Sequence, residues 1–113
     1  MNENYPIIVK SYTLTLWYIR KIEKFPTNHR FTLGEKIQNS LLELLLILSD
    51  AVYSKNKKEL LLQANKEIER LRLLSKLLDD LSLLSTQNSR FVGFSLNEIG
   101  QMIGGWMKAL KNG

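Results

Sequence analysis

Helix breakers interrupt this chain at only four places. They fall at Pro6, at Pro26-Thr27-Asn28, around Ser54 to Asn56, and around Ser82 to Ser89. The cuts leave four segments of about 20 to 25 residues, each ~30–37 Å long if helical. With 22 leucines in 113 residues and only 2 prolines and 6 glycines, the composition leans the same way. Long segments joined by short links predict an all-α, antiparallel up-down-up-down four-helix bundle, one domain spanning 1–113. A chain of this size buries roughly two-thirds of its unfolded surface, enough for a core without staples.

The first segment, about Pro6 to Lys24, carries two signals. Thr13-Leu14-Thr15-Leu16 alternates like a strand, while Ile8, Tyr12, Thr15, Ile19 and Ile22 recur at helical spacing. A lone strand has no partner elsewhere in the sequence, and Pro6 suits a first helical turn, so helix is predicted. The second segment, Thr32 to about Tyr53, opens on Thr32 and Glu35 spaced as a capping box. Its predicted core face is Ile37, Leu41, Leu44, Leu45, Leu48 and Val52, with Leu42 and Leu46 outside that stripe. The third, from Asn56 to about Leu81, opens on a second capping pair, Asn56 and Glu59. Its core face is Leu61, Ala64, Ile68, Leu71, Leu74 and Leu78, and Leu62, Leu73 and Leu77 lie near the opposite side. The fourth, about Thr86 to Leu110 with Ser85 as N-cap, sets Val92, Leu96, Ile99, Ile103, Trp106 and Leu110 at core spacing. Gly93, Gly100, Gly104 and Gly105 fall elsewhere on it. Each costs ~1 kcal/mol against alanine, so a close-packed backbone or ring is expected beside them. A four-helix monomer needs one apolar stripe per helix. The surplus leucines Leu42, Leu46, Leu62, Leu73 and Leu77 therefore predict contacts between copies of the chain.

Several classes of chemistry lack their residues. Without cysteine there is no disulfide, thiolate metal site or Cys nucleophile. A single histidine, His29, reads as an exposed loop residue with no acid or nucleophile spaced to join it. Glu67/Glu69 and Asp79-Asp80 are the close carboxylate groupings, and neighbours on a helix point apart, so they read as solvated surface. No glycine-rich loop follows a strand. No catalytic residue, metal site or cofactor is predicted, and an enzyme is not expected. The longest apolar run, Leu44 to Leu48, is far below the ~20 residues of a membrane span. Met1 to Pro6 lacks the basic region of a signal peptide, so a soluble, cytoplasmic protein without membrane contact is expected.

Charge placement is more informative. The chain carries +5, from 16 basic and 11 acidic residues. Lys55, Lys57, Lys58, Lys66, Arg70, Arg72 and Lys76, against Glu59, Glu67 and Glu69, concentrate that excess in the third segment. Lys58, Asn65, Glu69, Arg72 and Lys76 line one stripe there. Arg20, Lys21 and Lys24 close the first segment, where they also suit the helix dipole, and Arg30 follows. A polyanion is the implied partner. The basic residues are not interleaved with exposed aromatics, which predicts phosphate contacts rather than base stacking.

Three stretches then narrow the reading. They are Phe25-Pro26 leading into Arg30-Phe31-Thr32-Leu33-Gly34-Glu35-Lys36-Ile37-Gln38, then Leu71-Arg72-Leu73-Leu74, and Glu98-Ile99-Gly100-Gln101-Met102-Ile103-Gly104-Gly105-Trp106. Together they resemble the accessory variability determinant (Avd) family of diversity-generating retroelements, from about Tyr5 to Lys111. The resemblance implies a four-helix bundle assembled as a homopentameric barrel. It implies a non-enzymatic partner of the retroelement's reverse transcriptase, binding RNA and DNA through a basic surface during mutagenic retrohoming. The family's basic positions on the third helix correspond to Arg72 and Lys76. The four-helix protein of 23S ribosomal RNA intervening sequences is similar in the Phe-Pro loop. Its small-residue stretch of the Ser-Ile-Pro-Ser-Asn type is replaced here by Leu41 to Leu48.

Overall fold

The computed structural model describes residues 4–112 and contains four long helices: α1 (Pro6–Ile22), α2 (Glu35–Tyr53), α3 (Lys57–Asp80) and α4 (Thr86–Asn112). No strand occurs among the described residues. Residues 1–3, part of the stretch read against a signal peptide, lie outside them. No described helix is long and apolar enough to cross a membrane.

The ambiguous first segment is helical throughout, with Pro6 at its start. Its hydroxyls find partners inside the helix: Thr13 Oγ1 donates to the Val9 carbonyl and Thr15 Oγ1 to that of Ser11. The buried stripe is Ile7, Ser11, Leu14, Thr15, Tyr18 and Ile22. It is rotated from the predicted one; Tyr12 is exposed, and Ile8 and Ile19 are half-buried. The predicted stripe takes in Tyr12, whereas the fold buries Tyr18 and satisfies its hydroxyl. Tyr18 Oη and Ser75 Oγ lie 2.6 Å apart, joining α1 to α3 through the core.

Between α1 and α2 the chain makes one helical turn, Thr27–His29, and a π-helical stretch, Arg30–Gly34. The predicted capping box is absent. Thr32 Oγ1 donates to the Asn28 carbonyl (2.9 Å) instead of accepting from a helix N–H. Helical structure already begins upstream, so Thr32 has no free N-terminus to cap. Gly34 is needed for packing here, because a β-carbon on it would lie 2.7 Å from Ile22 Cγ2.

The core face of α2 is Ile37, Leu41, Leu44, Ile47, Leu48 and Ala51, with Leu45 and Val52 only half-buried. Lys57 Nζ donates to the carbonyls of Ala51 and Val52, both at 2.8 Å, and so satisfies the end of α2. Asn56 occupies the N-cap of α3 but makes no side-chain cap bond. In α3 the predicted face is buried apart from half-buried Leu74, with Glu67 and Ser75 added. The α3 C-terminus closes in a Schellman motif: Leu83 N–H donates to the Leu78 carbonyl and Ser82 N–H to that of Asp79. Ser82 takes the left-handed position (φ 60°). Ser85 caps α4 as expected, its Oγ accepting from Asn88 N–H at 3.0 Å. Val92, Leu96, Ile99 and Ile103 are buried, Trp106 is half-buried and Leu110 exposed.

Both α1 and α3 pack against α2 and α4. Tyr5 meets Trp106 and Trp17 meets Phe91, at ring-centroid distances of 6.2 and 5.0 Å. One apolar core, from Ile7 to Ile103, runs the length of a body 47 × 23 × 21 Å.

Candidate nucleic-acid interface

The basic residues singled out in the sequence divide into separate groups on this frame. Those of α3 carry carboxylate partners. Arg72 Nη1 pairs with Glu69 Oε1 (2.6 Å), Lys76 Nζ with Asp80 Oδ1 (2.7 Å) and Arg70 Nη1 with Glu67 Oε1 (3.4 Å). All three pairs are one helical turn apart, and the three cations remain exposed. The Asp80 hydrogen bond, reinforced by its charge, raises the Lys76 ammonium above its ordinary range. Solvent screens exposed pairs of this kind, so they contribute little to stability. An incoming phosphate can exchange for the carboxylate at little cost.

Arg72 leans towards α4. A β-carbon on Gly100 would lie 3.2 Å from Arg72 Nη2, so the missing side chain makes room for the guanidinium. This is the one place where a glycine of α4 meets the close neighbour expected for all of them. Gly93, Gly104 and Gly105 face open space, where a β-carbon would find nothing within 4 Å. Further along the α3/α4 edge, Lys58 joins Lys108 and Lys111 around an apolar floor of Met107 and Leu110, in a groove of about 550 Å³. The last two lysines lie outside the expected set, because the sequence pattern of α4 is dominated by its core spacing. Lys66 is exposed beside Leu62, Asn65, Glu69 and Arg70.

Glu67 departs from expectation. It is buried, at 8% exposure, and not a solvated surface carboxylate. Ser40 Oγ donates to its Oε2 at 2.5 Å, which ties α2 to α3. Asp79 is also engaged, accepting from Ser89 Oγ at 2.7 Å across the α3–α4 link. Helical spacing shows which way a carboxylate leaves its own helix but not which neighbour waits there.

Beside the start of α4, Arg20 and Lys21 at the end of α1 come together with Lys24 just after it. With Thr13, Leu16, Trp17 and Asn88 they line a groove of about 440 Å³. No carboxylate lines this groove, and none of the three cations forms an ion pair among the described residues. Trp17 is half-buried, packed edge-on against Tyr18 and tilted against Phe91. The expectation concerns exposed aromatics, and Trp17 is a half-buried one beside the basic residues. At Arg30 an exposed ring does stand near a cation, the guanidinium lying 5.9 Å from the centroid of the Phe31 ring. Arg30 is otherwise turned inward, donating from Nη2 to the Phe25 carbonyl at 3.2 Å and lining a pocket with Glu23 and Glu35.

The five leucines predicted to meet other copies are all exposed: Leu42 38%, Leu46 60%, Leu62 45%, Leu73 73% and Leu77 42%. Among the described residues, no group of three His, Asp or Glu side chains is placed to hold a metal ion.

A four-helix protein with a cationic, partly carboxylate-paired surface and greasy outer faces is what the fold and surface define. The family model described as bAvd-like matches residues 7–110, and the chain belongs to that family. No curated protein matches it.

Proposed function

We propose that this chain is a non-enzymatic accessory protein of a diversity-generating retroelement. In this reading it binds RNA and DNA through its basic surface, associates with the reverse transcriptase and acts in the cytoplasm. The family match over residues 7–110 carries the reading. The protomer is an up-down-up-down bundle forming one domain. The meetings of Tyr5 with Trp106, Trp17 with Phe91 and Ser40 with Glu67 support that course of the chain. Five copies form a barrel in which Leu42, Leu46, Leu62, Leu73 and Leu77 are covered. Arg72 and Lys76 are the leading phosphate contacts, followed by Lys58, Lys66, Arg70, Arg20, Lys21, Lys24 and Arg30. The exposure of Arg70, Arg72 and Lys76 supports this, since exposed ion pairs are weak; Lys58, Lys66, Arg20 and Lys24 are exposed as well. Lysine at position 76 supplies charge without the two-pronged geometry of arginine.

One observation favours a second reading. Because Arg70, Arg72 and Lys76 each already hold a carboxylate, a helical module that binds only protein is the competitor. Binding to RNA and DNA oligomers, measured from about 50 to about 200 mM salt, separates the two. A surface touching several phosphates loses orders of magnitude in affinity over that range. Replacing Arg72→Glu with Lys76→Glu is expected to weaken binding strongly and leave thermal unfolding nearly unchanged. Absence of binding at the lowest salt would leave the protein-only module.

A further inference from the structure

The cationic surfaces of this molecule are not equivalent, and only the α1 groove sets its cations beside an aromatic ring; the groove of Lys58, Lys108 and Lys111 has an aliphatic floor. On α3 each of Arg70, Arg72 and Lys76 holds a carboxylate within 3.4 Å. At the end of α1, Arg20, Lys21 and Lys24 surround a groove with no carboxylate in its lining. Glu23, the nearest acid in sequence, lies on the other side of the helix, in the pocket with Ile19, Ile22 and Arg30. The α1 groove also has an apolar floor, formed by half-buried Trp17 and exposed Leu16, with the Asn88 side chain at its rim.

We infer that the α1 groove is a single-strand binding site: Arg20, Lys21 and Lys24 hold consecutive phosphates while an unpaired base lies against Trp17 and Leu16. The inference deepens the nucleic-acid reading above and rests on it. Three cations this close in sequence, none paired with a carboxylate among the described residues, suit a polyanion. The floor selects among polyanions. A duplex keeps the flat faces of its bases stacked inside and presents phosphates, sugars and base edges to such a surface. A single strand can turn a base onto an aromatic side chain, a contact that tolerates any base because each has a flat face. Asn88 supplies a donor and an acceptor for a base edge or a phosphate.

Trp17 provides the readout. The chain has 2 tryptophans, so Trp106→Phe leaves Trp17 as the sole indole. Oligomers of about five nucleotides are titrated at about 50 mM salt. Oligouridylate is expected to quench Trp17, and a duplex long enough to stay paired, about ten base pairs, to quench it far less at equal phosphate concentration. An abasic oligomer is expected to bind without quenching. The triple replacement Arg20→Ala, Lys21→Ala, Lys24→Ala is expected to lose the quenching and about tenfold or more in affinity. Its three positions lie outside the core, so its unfolding curve serves as the fold control. Equal quenching by duplex or abasic oligomer reduces the groove to a phosphate patch and overturns the single-strand assignment. Binding that leaves Trp17 fluorescence unchanged and survives the triple replacement overturns the site while sparing the wider function. If no oligomer binds at low salt, the site and the nucleic-acid reading fall together.

Discussion

At the scale of single residues, the core contains one polar bond whose behaviour with pH is calculable. Tyr18 is fully buried, and burial raises its phenol from 10.0 to about 12, opposed by the hydrogen bond from Ser75. The folded state therefore keeps the proton longer than the unfolded chain does. The stability tied to that proton is complete below pH ~10, falls as pH rises, and is gone above ~12. A shift of this size corresponds to roughly 2–3 kcal/mol. The urea midpoint of the native chain is expected to drop more steeply between pH 10 and 12 than that of Tyr18→Phe. At pH 7 the replacement should cost about 1 kcal/mol, since Ser75 Oγ loses its partner in the core. Parallel alkaline curves for the two proteins would contradict the assignment. None of this is legible in the sequence. Ser75 reads as a small residue on a leucine-rich face, and only the packing of α1 across the core brings Tyr18 to it.

At the scale of elements, the helices and their approximate bounds are legible in the sequence, and the contacts that close their ends are only partly so. Leucine spacing predicts most of the α3 face because Leu61, Leu71 and Leu78 anchor it with Ala64 and Ile68, while the buried Glu67 and Ser75 escape an apolar pattern. In α1 the predicted stripe is rotated from the buried one, because it takes in Ile8, Tyr12 and Ile19 and misses the buried Ser11 and Tyr18. Capping signals succeed only where the chain has a true helix start. Ser85 caps α4, but Thr32 sits inside the continuous turn and π-helical stretch before α2. A glycine usually marks the left-handed residue that ends a helix, and at Ser82 that signal is missing. The left-handed conformation costs a non-glycine residue ~1–2 kcal/mol. Both Schellman hydrogen bonds are made by backbone groups, so a glycine keeps them. Ser82→Gly is therefore expected to stabilise the protein by about 1 kcal/mol, read as a raised denaturant midpoint with an unchanged slope. A lowered midpoint would show that the serine side chain matters more than the backbone strain. The charged surface is half legible. Charge density points to α3, while the groove at α1 needs Leu16, Trp17 and Asn88 brought together from two helices.

At the scale of the whole molecule, the exposed leucines fall on two different surfaces. Leu42 and Leu46 face outward from α2, one turn apart, while Leu62, Leu73 and Leu77 face outward from α3. An isologous pair needs one self-complementary patch, whereas a closed ring needs two distinct surfaces, each meeting the other on the next copy. Two apolar surfaces on neighbouring helices suit the ring proposed above. Native mass measured on surface variants tests this directly. Leu46→Asp disables the α2 surface and Leu73→Asp the α3 surface, and both positions are exposed enough that the fold should survive. Each variant alone is expected to be a monomer at micromolar concentration, because every joint in a ring uses one surface of each kind. Mixed in equal amounts, the two variants still own one intact surface of each kind between them. They should form a one-to-one heterodimer and stop there, since the outward surfaces of that pair are both disabled. If Leu46→Asp alone keeps the native mass, the α2 leucines are not part of the joint. If both single variants assemble like the native chain, the leucines are ordinary exposed residues and some other surface, such as the open edge of α4 at Gly93 and Gly104, must make the contact.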